Sequence, residues 1–530
     1  MNTTVVRPVD VALRDAVRVA AGFGVFTVVL HVALTLWVRH AGYGYFRDEF
    51  YYLICGRHLA WGYVDHGPLV AVQARLAETL FGKSLVGLRM FSAIAGGLRV
   101  FLTGLLVWGM GGRRAAQVLA MIGVLAAPCY LGGDSYLSMN SVESTFWMGC
   151  LLALVLIERG DSERWWLAFG ASAGLGLLNK PDMAFFLVAL LATLVLTPQR
   201  RMLRSPWMLA GVGLMLAIVA PYIHWQMVNH WPMWEFLEDG RLRHKNVALG
   251  PVGFLTTQIM TLLPTNALIW VPGLVWLLRR AKWRWLGLTY LFFLGIMMAL
   301  HAKDYYVVPV YPILFAGGGM AWESWRLSGA KIWDARRFYG FPVLETMTIL
   351  GSLAVLPMSH PILSPERWIA YAGAMHLRDQ ASKTENSESG PLPQFYADRF
   401  GWQEEVDQVE RVVAGLTPEE RGKLMIVCDN YGEASALNFL GHSLPFAMSG
   451  QNNYWLWAQD GKGNITGKGD VVILIEDTTV EHLRHYYDDV RVVGLTGTTY
   501  SMPFEHKQIY LLRGPKQEFP TVWPEHRNYI

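Results

Sequence analysis

A succession of apolar stretches, each near the length of a membrane span, constrains this chain more than any other feature. A helix needs ~20 predominantly apolar residues to cross the hydrocarbon of a bilayer. Val19–Val38 meets that length between Arg18 and Arg39. Further stretches run over Phe91–Trp108, Ala115–Tyr130, Val142–Ile157, Trp165–Leu178, Ala184–Leu196, Trp207–Tyr222, Phe254–Leu278, Trp285–Leu300, Tyr305–Trp322 and Phe341–Met358. They make about eleven spans, several of them short, as in a bundle whose helices partly end in a cavity. Only 16% of the 530 residues are charged, against about 25% in an ordinary soluble domain. The expected fold class is therefore a polytopic α-helical membrane protein. The first span lacks a small-residue cleavage site, so it is expected to be retained.

Loop charge gives an expected topology. Arg7, Arg14 and Arg18 precede the first span. Arg113-Arg114, Arg159/Arg164, Arg200-Arg201/Arg204, Arg279-Arg280/Lys282 and Arg326/Lys331/Arg336-Arg337 fall in alternate loops. The positive-inside rule makes these cytoplasmic. The other loops and the C-terminal region then face outward: a multi-pass plasma (inner) membrane protein with a cytoplasmic N-terminus. The net charge of +3 gives no argument for nucleic acid. Cys55, Cys129, Cys150 and Cys428 are too scattered for a disulfide frame or a metal-ligand spacing.

After Met358 the character changes. The expected organisation is a membrane domain over 1–360, with a long first outer loop over 39–90, a polar linker over 361–393, and a soluble, extracytoplasmic α/β domain over 394–530. Leu424–Cys428, Val471–Ile475, Val492–Leu495 and Gln508–Leu512 read as strands, and Thr478–Tyr487 as a helix capped by Asp477 or Thr478. The strand Leu424–Cys428 is followed by Asp429-Asn430-Tyr431-Gly432-Glu433, which opens a helix without a GxGxxG, so nucleotide binding has no support.

The unusual chemistry lies in the outward loops. Gly44-Tyr45-Phe46-Arg47-Asp48-Glu49-Phe50-Tyr51-Tyr52 places two adjacent carboxylates among rings that favour the membrane interface. They can be solvated acids, or a base that takes a proton from an acceptor hydroxyl. Phe50–Leu59 and Pro68–Phe81 read as helices lying in the interface plane. Asp65-His66-Gly67-Pro68 is either a turn or a turn that presents a second acid and a His. Asn140 and Glu143 open the fourth span. They serve as a cap and a dipole-stabilised acid, or face the Asp48 loop across a cavity. Lys180, His301, Lys303, Tyr306, Arg241, Arg243, His244 and Lys245 occupy outward loops, where cations are normally scarce. They anchor lipid headgroups or hold a donor phosphate. Arg99, in mid-span, is a functional hypothesis by default, with internal pairing as the alternative. The segment from Ser449 to Trp457 is read as docking the C-terminal domain onto the membrane part, with sugar binding as the alternative.

The pieces YFRDEFYYLICGRHLAWGYVDHGPLVA, YLSMNSVESTFW, GLGLLNKPD and HAKDYYVVPVYPILFAGGG resemble glycosyltransferase family 39 of the membrane C-superfamily, over roughly residues 15–360. That family includes protein O-mannosyltransferases and the lipid A aminoarabinose transferases. The resemblance implies sugar transfer from a polyprenyl-phosphate donor to a hydroxyl acceptor (protein, lipid or wall polymer) at the extracytoplasmic face, usually with inversion. It places the family's catalytic acid on Asp48, with Glu49 beside it. The family's second Asp, at the start of the fourth span, is here Asn140, with Glu143 one turn on. The Lys of its first-loop motif is replaced at Asp65-His66-Gly67-Pro68, where His66 stands in. Its phosphate-side cations fall on Lys180 and Lys303, with His301 and Tyr306 near the latter in sequence and Arg243, in another loop, as a further candidate. A divalent cation, Mg or Mn, at Asp48 and Glu143 is an alternative left open. The rival class is a transporter or lipid flippase, which would put ionisable groups near the midplane of repeated halves.

Overall fold

The computed structural model describes residues 12–243, 247, 249–327, 335–376, 388, 390–465 and 467–530. His244, Lys245 and part of the expected linker (377–387 and 389) lie outside the described residues. The chain forms two compact units. One comprises Met1–Trp37, Val86–Pro221 and Ala248–Ile362, the other Val38–Leu85, Tyr222–Val247 and Leu363–Ile530.

The first unit is helical. Among the described residues, five helices are long and apolar enough to cross a bilayer: Leu13–His40, Leu85–Gly109, Met139–Arg159, Pro206–Val228 and Gly340–Ser359, the fourth ending in the second unit. The number rises to seven if each of two bent pairs is one span. Arg114–Leu125 and Arg284–Ala299 are shorter apolar helices, and breaks interrupt several of the expected stretches. The stretch Phe254–Leu278 is a helix over Pro251–Thr261 bent by 97° against Pro264–Arg279, with Pro264 after a Leu263 of φ 78°. Pro128 stops the helix Arg114–Leu125 from running on to Tyr130. The stretch beginning at Tyr305 starts as a 3-10 turn over Asp304–Val310, with Pro309 inside, before the helix Tyr311–Leu327. Proline lacks the N–H that would continue each ladder.

Small residues let the helices touch backbone to backbone. A Cβ on Gly273 would lie 2.0 Å from the Leu314 carbonyl, and one on Gly318 2.3 Å from that of Ile269. Such contacts replace the hydrophobic drive that lipid cannot supply between helices. Arg99, in the middle of Leu85–Gly109, is buried and pairs internally. Both its terminal nitrogens meet the Asp134 carboxylate, and its guanidinium lies 4.1 Å over the Tyr130 ring. His31 Nε2 stands 3.5 Å from the same carboxylate.

The second unit holds a five-stranded sheet: β1 Leu424–Cys428, β2 Met448–Ser449, β3 Val471–Glu476, β4 Tyr487–Leu495 and β5 Gln508–Pro515. The order is β2-β1-β3-β5-β4, with β1 parallel to both β2 and β3, and β5 antiparallel to β3 and β4. β1 is wholly buried and β3 nearly so, as their unbroken apolar runs require. The helix expected over Thr478–Tyr487 is only Val480–Leu483, capped by Thr479, because Tyr487 already begins β4. Parallel neighbours on both sides of β1 make its carboxyl end a switch point, where α/β sheets leave a crevice.

The helix Arg47–Arg57 belongs to this same unit. All eight residues Glu49–Gly56 are buried. It crosses the helix Leu69–Phe81 closely, since a Cβ on Gly56 would lie 2.9 Å from the Ala71 carbonyl. Arg57 reaches the Asn438 carbonyl at 3.1 Å, and Phe50 packs on Trp402 and Phe439. The first of the two expected interface helices is therefore enclosed by protein. Its apolar and aromatic residues surround it on all sides rather than forming one face.

Candidate functional site

The expected site residues fall into two groups, one in each unit. In the second unit, Asp48 stands in the first turn of Arg47–Arg57, where the helix dipole favours a carboxylate. Its side chain is 28% exposed, which leaves it reachable in an otherwise buried helix. The Tyr431 hydroxyl donates to Asp48 Oδ1 at 2.7 Å, and Arg47 Nε lies 3.7 Å from that oxygen. Arg47 in turn faces Asp398 at 3.8 Å and Glu505 at 3.6 Å. Glu49 is turned the other way. Its Oε2 accepts from the Phe46 backbone N–H at 2.8 Å, closing the start of its own helix. That is the geometry of a structural cap, and it separates Glu49 from the chemistry expected of it.

Asp65 makes a second carboxylate–tyrosine pair. The Tyr51 hydroxyl donates to Asp65 Oδ1 at 3.0 Å, and the Tyr51 and Tyr431 rings lie 4.7 Å apart. Burial raises Asp65 above the usual carboxylate range. His66 and the Tyr51 hydrogen bond oppose the rise, and the Asp48 charge adds to it. Burial likewise holds Tyr51 and Tyr431 well above the ordinary tyrosine range, as phenols. His66 is fully buried, stacked on Tyr63 at 4.6 Å, with Nδ1 2.7 Å from the Gly67 carbonyl and Nε2 3.9 Å from Asp65 Oδ1. Asn453 ties the segment down: its Oδ1 accepts from the Val64 N–H at 2.7 Å, and its N–H points to the Tyr51 oxygen at 3.4 Å. Arg243 caps the helix Pro232–Leu242 and is exposed.

In the first unit, Lys180 follows the helix Trp165–Asn179 and is buried. Its Nζ lies 2.7 Å from Asp182 Oδ2, 3.2 Å from Glu143 Oε2 and 4.1 Å from the centre of the Tyr306 ring. The lysine is thus already neutralised by two carboxylates. Asn140 is one turn before Glu143, half-buried; the neighbouring Asn179 Nδ2 donates to the Met139 carbonyl at 2.8 Å. Lys303 Nζ stands 5.9 Å from the Tyr305 ring centre, and His301 is exposed with φ 50°. Among the described residues, no group of three His, Cys, Asp or Glu converges as metal ligands would.

Sequence reasoning missed Tyr431, Tyr51, Asp182 and Asn453 as partners of these acids and cations. The signals available were local. Asn430 is an N-cap that accepts from Gly432 and Glu433, and such caps fix the residue after them. Asp182 stands two residues from Lys180 in the quoted NKPD segment.

The family model described as dolichyl-phosphate-mannose-protein mannosyltransferase matches residues 65–225. That segment contains Asp65, His66, Asn140, Glu143 and Lys180, and excludes Asp48. An undecaprenyl phosphate-alpha-4-amino-4-deoxy-L-arabinose arabinosyl transferase of Pseudomonas fluorescens is 28% identical over 170 residues, 29% of this chain. The match spans only 30% of that relative's length. Among solved structures, ArnT from Cupriavidus metallidurans bound to undecaprenyl phosphate aligns with TM-score 0.58 at 16% identity. It covers 92% of this chain and 99% of that one. Arabinofuranosyltransferase AftD from Mycobacteria aligns with TM-score 0.53 at 12% identity, over 97% of this chain and 41% of that one. Residues 65–225 are thus similar to a mannosyltransferase family, and the fold over most of the chain is that of ArnT from Cupriavidus metallidurans.

Proposed function

We propose that this chain is a membrane glycosyltransferase that moves a sugar from a polyprenyl-phosphate donor to a hydroxyl acceptor at the extracytoplasmic face, with inversion. The observation that carries the reading is Asp48: a reachable carboxylate at the start of a buried helix, held by a tyrosine hydroxyl. The acceptor oxygen attacks the anomeric carbon as its proton passes to Asp48, and the bond from that carbon to the phosphate oxygen breaks. The transition state is oxocarbenium-like, and the leaving polyprenyl phosphate keeps the electron pair. Such a displacement asks for a base and for cations near the departing phosphate. Lys180 serves the phosphate by exchanging a carboxylate partner for it, since Glu143 and Asp182 hold it in the free chain. Lys303, His301 and Arg243 are the further cations of this reading. In the free chain Asp48 is held by Tyr431 and Glu143 by Lys180, and this reading needs no divalent cation. No step is routed through it.

The test is transfer or slow donor hydrolysis by lipid-reconstituted wild type beside Asp48→Asn, against a panel of polyprenyl-phosphate sugars and with matched thermal stability. Turnover by wild type and at least a hundredfold loss in the variant are expected, within the range for losing a positioned base. A fully active variant would falsify the role of Asp48. Donor consumed by neither protein would sink the transferase and leave flux across the same liposomes as the question.

A further inference from the structure

Tyr431 reaches Asp48 from 383 residues away in sequence, and everything around it is built to aim that hydroxyl. β1 ends at Cys428 in the middle of a parallel trio, so the residues after it enter the crevice at the switch point. Asn430 then caps the helix Tyr431–Leu440, accepting from Gly432 at 2.8 Å and Glu433 at 3.1 Å, while Glu433 closes the box back onto Asn430 at 3.2 Å. The Tyr431 N–H is held by Gln451 Oε1 at 3.0 Å. Gly432 makes room for the partner element: a Cβ there would lie 2.6 Å from Arg47 Cγ. The ring stacks on Tyr51, which serves Asp65 in the same way.

From this geometry we infer that Tyr431 is a positioning residue for Asp48, so that the C-terminal part of the chain completes the site begun by the first loop. The inference rests on the proposed role of Asp48 and deepens it. Arg47 and Tyr431 face the carboxylate directly, Asp65 acts on the same patch, and Asp398 and Glu505 balance Arg47. The hydroxyl donates to Asp48 Oδ1, which fixes the carboxylate and leaves the other oxygen open to the acceptor.

The variant is Tyr431→Phe in the full chain, which keeps the ring on Tyr51 and is expected to melt with wild type. Two readouts are taken. The first needs no turnover: labelling of Asp48 by a lipophilic carbodiimide, which needs an uncovered carboxyl oxygen to attack it and so reports the loss of the hydroxyl from Oδ1, followed by peptide mass spectrometry at one pH. Labelling is expected to quicken several-fold in the variant, with Asp48→Asn identifying the peptide. The second is donor turnover per folded molecule, where kcat should fall about tenfold with donor KM unchanged; matched thermal melts exclude a loss of folded protein, which would lower apparent kcat in the same way. Unchanged labelling overturns the inference whatever the turnover, and quickened labelling with unchanged kcat overturns the positioning role. If wild type consumes no donor, the transferase reading falls, while quickened labelling still supports the Tyr431–Asp48 contact.

Discussion

Arg99→Met offers a severe test of how the helical unit is held together. The guanidinium is buried in the middle of Leu85–Gly109 and meets Asp134, itself buried, through two contacts. A Cβ on Gly96 would lie 2.3 Å from Asp134 Oδ2, so the carboxylate is seated against the helix where it cannot move toward water. Removing one member of such a pair leaves an uncompensated buried charge and costs about 3–5 kcal/mol. His31 Nε2, 3.5 Å from Asp134, remains as a poorer partner, which sets the expectation near the lower end, about 3 kcal/mol. The variant Arg99→Met/Asp134→Asn removes both charges, and most of the loss should return, because what is costly is the orphaned charge rather than the missing pair. Unfolding in mixed micelles against rising SDS measures all three proteins. Donor turnover per folded molecule is expected to be unchanged. Arg99→Met as stable as wild type would refute the argument. So would a double variant as weak as the single one. A stable but inactive Arg99→Met would assign the arginine to chemistry instead.

Two further predictions concern packing and pH. Gly318→Ala puts a methyl 2.3 Å from the Ile269 carbonyl and should cost about 1–3 kcal/mol through overpacking. Gly295→Ala, with nothing within 4 Å, should be neutral or slightly stabilising in the same unfolding assay. In the second unit, burial pushes Glu433 up to about 8 from about 4.5, against the pull of Lys507 2.8 Å away. The folded state then binds this proton more tightly than the unfolded one. The stability from this group is therefore full below about 4.5 and is lost as pH rises through about 8. Glu433→Gln should flatten the fall over that window in thermal melts, and an unchanged slope would count against the assignment.

The helices were legible because apolar length is a local property, and the strands Leu424–Cys428 and Val471–Ile475 because buried parallel strands are apolar without interruption. The breaks within those stretches were not, since Pro128, Pro264 and Pro309 act on geometry that a hydropathy window averages away. The site divides in the same manner. Asp48 could be singled out from its own neighbourhood. Glu49 next to it looked equivalent in sequence, although its place three residues after Phe46 is the spacing of an acid that closes a helix start. Lys180 was visible as a cation in a short loop, but its pairing with Glu143 and Asp182 was not, and a cation already matched by two acids is a different object from a free one. The pairing of Tyr431 with Asp48 had no local trace at all. What the sequence did contain was a strand, an N-cap and a glycine in succession, a device that delivers the next side chain to the end of a sheet. The chemistry of that side chain acquires meaning only when the fold shows which carboxylate it meets. An acid whose one cationic neighbour, Arg47, is shared with Asp398 and Glu505 finds its closest hydrogen-bond donor elsewhere in the chain. Polar residues at the carboxyl ends of parallel strands are the first place to look for such donors.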